Sequence, residues 1–152
     1  MKTQPIDPKS SPMNIEQRMR TVRTIWFAMT ITIGLYYMVT LFAGRPEDIE
    51  PNDTLSLALL IAGVSSVLVS FLVKHRLISR AIEQRQVQQV QQAYIVAWIM
   101  SEVPALLGML DFFRTSHPHF YVLFIIAAVG ELLHFPRREH FEHASINPPI
   151  TL

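Results

Sequence analysis

Apolar residues occur along the chain in four blocks, which are separated by stretches rich in polar and charged residues. About 20 consecutive apolar residues form a helix that crosses the hydrocarbon core of a bilayer. Three blocks reach this length, and the fourth is shorter. The pattern predicts four transmembrane helices, at residues 23–43, 54–73, 93–113 and 120–135.

Composition supports this interpretation. Half of the 152 residues are hydrophobic and only 16% are charged, whereas a soluble domain usually carries about 25% charge. Four spans with short connections leave no room for a second domain. The chain therefore divides into an N-terminal segment 1–22, an all-α four-helix bundle 23–135 and a C-terminal tail 136–152.

The distribution of basic residues predicts an orientation. Eleven Lys and Arg lie before the first span, between spans two and three, or after the fourth span, whereas only Arg45 and Arg114 lie on the other side. By the positive-inside rule, both termini and the middle connection face the cytoplasm. We expect a multi-pass protein of the cell membrane, such as a bacterial inner membrane.

Spans two and three are predicted to form an extended antiparallel hairpin. Their connection, residues 74–92, has no Gly or Pro, and its apolar residues keep a helical period. Each span also carries small residues at helical spacing, which allow helix backbones to approach closely in lipid. These candidate packing residues are Ala58, Ala62, Ser66 and Ser70 in span two, and Ala97, Ser101, Ala105 and Gly108 in span three.

Glu102 is the first candidate for chemistry, because it lies near the middle of the third apolar block. An ionisable group at this depth is costly and often functional. Pro104 follows two residues later and leaves the Met100 carbonyl without its helical partner. Glu102 is thus a candidate for handling protons or binding a cation. The structural alternative is a protonated carboxyl that hydrogen-bonds across the bundle, to Ser66 or Thr32.

Glu131 and His134 form the second candidate. They lie three residues apart near the cytoplasmic end of span four, so they share one helical face. The pair is suited to proton entry from the cytoplasm. It is also typical of an interfacial ion network that steadies the helix end near Arg137 and Arg138.

Other chemistries find no support in the sequence. The chain has no cysteine, and it shows no nucleophile with a base, phosphate-binding glycine loop or nucleic-acid patch. A di-iron site requires two Glu-x-x-His pairs, and only one lies in the spans. The histidines of the tail and of the Pro118 loop are typical of interfacial segments. We therefore expect no metal, no cofactor, no nucleic-acid partner and no enzymatic activity.

The segment Ala93-Tyr-Ile-Val-Ala-Trp-Ile-Met-Ser-Glu-Val-Pro-Ala-Leu-Leu-Gly-Met-Leu110 resembles the carboxylate helix of the proteolipid (c) subunits of rotary ATP synthases. The Arg85-Gln86 pair lies where that family has its polar loop. The resemblance covers residues 54–113 and implies that Glu102 corresponds to the ion-carrying carboxylate. It departs from the family in the partner helix, where Ala and Ser every fourth position replace the repeated glycines.

Two functions remain open at the level of sequence. The first is a small non-catalytic subunit of a larger membrane complex, such as an energy-converting assembly. The second is a proton- or cation-translocating protein that uses Glu102. The expected partners are the lipid bilayer and either other membrane subunits or further copies of this chain.

Overall fold

The structure is a computed structural model that describes residues 12–44, 52–115 and 117–145. Within these ranges every regular element is an α-helix, which confirms the all-α class. The helices are α1 (Pro12–Ala43), α2 (Asp53–Glu83), α3 (Val87–Thr115), α4 (Tyr121–Leu133) and α5 (Arg138–Ser145).

Three helices, α1, α2 and α3, are long and apolar enough to cross a membrane. Helix α4 has only 13 residues, so it is about 20 Å long. The regular helix is therefore shorter than the predicted fourth span, 120–135. Phe120 precedes it without a side-chain cap, and Leu133 is its last residue.

Helix α1 begins earlier than the predicted first span. The predicted N-terminal segment 1–22 is not separate from the bundle, because α1 is continuous from Pro12. Met19 and Val22 are buried in a core cluster that also contains Ile78 of α2 and Phe141 of α5. The first turns of α1 belong to the bundle because they cover this core. Residues 1–11 lie outside the described part of the chain.

Helices α2 and α3 form an antiparallel hairpin. As predicted, both helices continue into the connection: α2 extends past residue 73, and α3 begins before residue 93. Arg85 lies two residues after the end of α2 and has a φ of 53°. Its N–H donates to the Ile82 carbonyl at 3.1 Å, and the Gln86 N–H donates to the Ala81 carbonyl at 2.9 Å. These two bonds make a Schellman turn, in which the left-handed position is usually Gly.

Helix α5 packs against the bundle, so residues 138–145 of the predicted C-terminal tail 136–152 are part of the fold. Phe141 and Ala144 are buried, and the Phe141 ring stacks on Tyr94 with 6.1 Å between centroids. The Tyr94 hydroxyl accepts a 2.9 Å hydrogen bond from the Arg137 N–H. Residues up to Ser145 are thus part of the fold, and residues 146–152 lie outside the described ranges.

The chain passes up and down, so that α1 and α3 begin where α2 and α4 end. We call this the basic end, because every described Lys and Arg except Arg114 lies there. Two hydrophobic clusters fill the interior. One is at the basic end, around Tyr94 and Trp98, and the other is at the opposite end, around Phe112 and Phe124.

The predicted packing stripe of α2 is wrong in its first half. Ala58 and Ala62 are exposed, whereas Ser70 is buried. Each step of four residues turns 40° around a helix, so Ala58 and Ser70 are about 120° apart. Gly63 instead meets α3, since a Cβ there would lie 3.3 Å from the Pro104 Cβ. The four α3 residues, which are Ala97, Ser101, Ala105 and Gly108, keep to one face and are all buried.

Candidate functional site

Four neighbouring residues between the two hydrophobic clusters carry unsatisfied polar atoms. In the described part of the chain, the buried side-chain atoms without a hydrogen-bond partner are Ser101 Oγ, Glu102 Oε1, both Glu131 carboxyl oxygens and His134 Nδ1. Buried polar groups in proteins are nearly always hydrogen-bonded. A concentration of exceptions in one place marks a candidate site, which we call the carboxyl cluster.

Glu131 is the most enclosed member of the carboxyl cluster, with no exposed surface. Close packing at Gly130 brings this part of α4 against its neighbours. A Cβ there would meet Val67 of α2 at 3.2 Å and Ser101 of α3 at 3.4 Å. On the third side, the Trp26 indole N–H donates to the Glu131 backbone carbonyl at 3.0 Å. Three helices therefore hold Glu131 in place while its carboxyl remains without a donor.

Glu102 faces the same region from α3. Its carboxyl interacts electrostatically with that of Glu131, and it interacts with the Tyr36 hydroxyl of α1. The predicted alternatives for its partner are wrong. Ser66 donates instead to the Met100 carbonyl at 2.8 Å, and Thr32 donates to Ala28 within its own helix at 3.0 Å. Glu102 is half-buried rather than enclosed.

His134 extends the cluster towards the basic end. Its Nε2 lies 2.7 Å from Ser70 Oγ. The Ser70 hydroxyl donates to the Val67 carbonyl at 2.6 Å, so it links His134 to the backbone of α2. The Trp98 indole N–H fixes the same turn by donating to the His134 carbonyl at 3.1 Å.

More polar side chains continue from His134 to the surface at the basic end. Lys74, one turn beyond Ser70, places its ammonium 5.0 Å from the centre of the Tyr94 ring. The Tyr94 hydroxyl lies 2.6 Å from His140 Nδ1. Partial burial lowers the pKa of His140 below its ordinary value of 6.5, and the positive charges of Lys74 and Arg137 act in the same direction. The lowered pKa favours the neutral imidazole of His140 at pH 7.

A second buried carboxyl, Asp111, was not identified from the sequence. It lies near the opposite end of α3, where Ser56 donates to Oδ2 at 3.0 Å and Thr115 donates to Oδ1 at 2.6 Å. Its position close to the end of an apolar block gave no reason to place it inside. The spacing of Asp111 and Thr115, four apart on one face, was the available signal. Unlike Glu131, Asp111 has donors for both oxygens.

Metal binding finds no support in the part of the chain that the structure describes. It contains no group of three or more His, Asp or Glu side chains arranged to hold a metal ion. His117 pairs with Asp53 at 3.5 Å at the opposite end. The predicted tail histidines lie on α5, where His140 is engaged by Tyr94.

Comparison with known proteins gives no family for this chain. No model of a protein family matches it, and neither a curated protein sequence nor a solved structure matches.

Proposed function

We propose that this is a four-span integral membrane protein with both termini in the cytoplasm, and that its carboxyl cluster takes up and releases protons. It would act as a small non-catalytic part of a larger membrane assembly. The observation that carries the proposal is the enclosure of Glu131, without a hydrogen-bond donor, beside the second carboxyl of Glu102.

Electrostatics favour proton chemistry at this pair. An ionised carboxylate without a donor is costly inside an apolar medium. Two carboxyl groups close together in such a medium do not both ionise readily, so they are expected to hold at least one proton. The His134 imidazole, three residues from Glu131, is a third titratable group at the site. Together these three side chains provide sites between which a proton can move.

Access is expected from the basic end. Between the surface and His134 lie the polar side chains of His140, Tyr94, Lys74 and Ser70, with Lys74 one helical turn from Ser70. In the other direction the buried face of α3 is apolar. Nine residues, or about 14 Å, separate Glu102 from Asp111, and the buried positions between them are Pro104, Ala105 and Gly108. Proton entry would therefore be one-sided, from the cytoplasm.

Exit from the cluster is expected through Glu102. This residue is half-buried and faces α1 through Tyr36, whereas Glu131 is fully enclosed. A proton that enters from the cytoplasm would then be passed sideways, to a partner subunit or a molecule at the helix surface. This arrangement is the reason for proposing a component of a larger assembly rather than a complete pump.

The test is proton flux in liposomes that contain the chain together with its native partner subunits, measured with an enclosed pH-sensitive dye. Glu102→Gln and Glu131→Gln should each abolish this flux. Glu83→Gln is the matched control, because Glu83 is an exposed carboxyl at the end of α2. Equal flux in all three variants, with folding retained, would contradict the proposal.

Reaction with a hydrophobic carbodiimide gives a second readout, because this reagent modifies protonated carboxyls in apolar surroundings. Glu102 is expected to react first, since it is half-buried, and enclosed Glu131 should react slowly. Glu102→Gln should remove the fast reaction. Absence of any carboxyl reaction within the spans would argue against a protonated pair.

A structural subunit without proton exchange is the second candidate. It is favoured by the two tryptophans that hold the end of short α4, through bonds of 3.0 Å to Glu131 and 3.1 Å to His134. In that case native mass spectrometry of gently extracted protein should show foreign subunits in fixed ratio. Glu102→Gln should then leave both the assembly and its activity intact.

A further inference from the structure

An open groove with a volume of about 510 Å³ lies at the basic end, on the outer side of α1. Its walls include three arginines, Arg20 and Arg23 from α1 and Arg138 from the start of α5. The groove is separate from the carboxyl cluster, and the proposed function makes no use of it. Its volume is in the range of sites that hold small organic ligands.

The arginines have guanidinium groups that remain available. In the described part of the chain, Arg20 and Arg23 are exposed and take part in no ion pair. Arg138 uses Nε for a 2.7 Å bond to Glu142. Glu16 is the one acidic residue in the groove wall, so positive charge exceeds negative charge there.

Along α1, the positively charged residues of the groove lie next to an exposed apolar residue. Arg20, Arg23 and Phe27 follow at intervals of three and four, so they lie on one face of α1. Phe27 is 60% exposed and lies about 6 Å further along the helix than Arg23. The groove therefore presents a cationic region directly next to an apolar one, at the depth of Trp26, the aromatic residue beside Phe27.

We propose that this groove binds a phosphate group, and that the phosphate belongs to the headgroup of an anionic phospholipid. Arginine forms paired hydrogen bonds with phosphate oxygens, so two or three arginines around one cavity favour this group over other anions. The exposed Phe27 side chain adjoins the cationic region, where the acyl chains of such a lipid would lie. A soluble organic phosphate shares the phosphate chemistry but makes no use of Phe27.

The test measures lipid binding to the full chain by native mass spectrometry, with phosphatidylglycerol and phosphatidylcholine as competing probes. Arg20→Gln/Arg23→Gln should weaken phosphatidylglycerol binding by about tenfold or more, because both groups contact the headgroup. The control, Arg76→Gln/Arg80→Gln, removes the same charge from exposed positions of α2 at the same end. It should change binding by less than about threefold, as expected for surface potential alone.

Two further measurements keep the result interpretable. Thermal unfolding in neutral lipid should be unchanged in both double variants, since all four arginines are exposed. Arg23→Lys keeps the charge but loses the planar fork, so it should weaken phosphatidylglycerol binding by an intermediate factor. This single variant also tests the site if the double variant proves unstable.

The outcomes separate the possible sources of phosphate. Competition by glycerol 3-phosphate, lost in Arg20→Gln/Arg23→Gln, would retain the phosphate site but overturn the lipid assignment. No competition, with selective loss of phosphatidylglycerol, would establish the lipid. Equal losses in the two double variants, or equal binding of the two lipids to the unaltered chain, would overturn the proposal.

Discussion

The Ser66 hydroxyl of α2 donates a 2.8 Å hydrogen bond to the Met100 carbonyl of α3. That carbonyl is free because Pro104 lacks the N–H that would bind it within the helix. The bond crosses the hairpin two residues from Glu102, so it fixes the height of the carboxyl cluster against α2. Ser66 of α2 thus supplies the hydrogen bond that Pro104 removes from α3, close to the carboxyl cluster.

Replacement of Ser66 by Ala should therefore destabilise the hairpin by about 0.6 to 2 kcal/mol, the range for interhelical hydrogen bonds in membranes and soluble proteins. Thermal unfolding in detergent, followed by helical circular dichroism, measures the change. Ser65→Ala is the matched control, because Ser65 is exposed on the same helix. An equal loss of stability in both variants would show that the Met100 bond has no special role.

The sequence identified the free Met100 carbonyl but not its partner. Pro104 alone reveals the missing donor, because that effect is local to the helix. Ser66 and Thr32 were both proposed as partners of Glu102, since either hydroxyl can reach several acceptors. The acceptor of the Ser66 hydroxyl depends on how α2 is rotated about its axis relative to α3. The four-residue spacing of small residues in α2 predicted that rotation incorrectly.

The three ionisable members of the carboxyl cluster were also predictable individually. Glu102, Glu131 and His134 attract attention because charged or polar side chains are rare inside apolar blocks. Their convergence was not predictable, since it depends on close packing at Gly130 and on Trp26 and Trp98, which hold the end of α4. No local pattern in the sequence indicates where an indole N–H finds its acceptor.

Packing at Gly108 gives a second prediction. A Cβ at this position would lie 2.9 Å from Phe124 Cε2 and 3.1 Å from Leu123 Cβ, so α4 has to move away from α3. Gly108→Ala should cost about 1 to 3 kcal/mol, as overpacked cores do. The measurement is again thermal unfolding in detergent.

Gly34→Ala is the control for that substitution, because a Cβ at Gly34 meets nothing within 4 Å. Alanine has the higher helix propensity, so this variant should be neutral or more stable by up to about 1 kcal/mol. If Gly34→Ala destabilises the protein as much as Gly108→Ala, the loss cannot be assigned to the contact with α4.

The turn between α2 and α3 gives a third prediction. Arg85 has a φ of 53°, a conformation that costs an L-residue about 1 to 2 kcal/mol and glycine very little. Arg85→Gly should therefore stabilise the folded state by about 1 kcal/mol. Gln84→Gly, at a φ of −84°, relieves no such cost and should destabilise. A destabilised Arg85→Gly variant would show that the arginine side chain contributes more than its backbone costs.

Attachment of α5 should depend on pH. His140 Nδ1 lies 2.6 Å from the Tyr94 hydroxyl, in a part-buried contact between α5 and α3. The pKa of His140 is lowered in the folded state by burial and by the nearby charges of Lys74 and Arg137. The neighbouring Glu139 opposes this shift, whereas His143 adds to it.

Protonation of His140 is linked to the packing of α5. Below pH 6.5, His140 binds a proton more readily when α5 is detached than when it is packed. The free energy that holds α5 in place is therefore full above this pH and decreases as the pH falls. Amide hydrogen exchange of residues 138–145, corrected for intrinsic rates, should therefore be nearly constant above about pH 7 and accelerate below pH 6.5 by up to roughly tenfold per pH unit. His140→Gln should remove most of this dependence, whereas His75→Gln, at an exposed position of α2, should retain it. An unchanged pH profile in His140→Gln would assign the effect to another group, with His143 the first to examine.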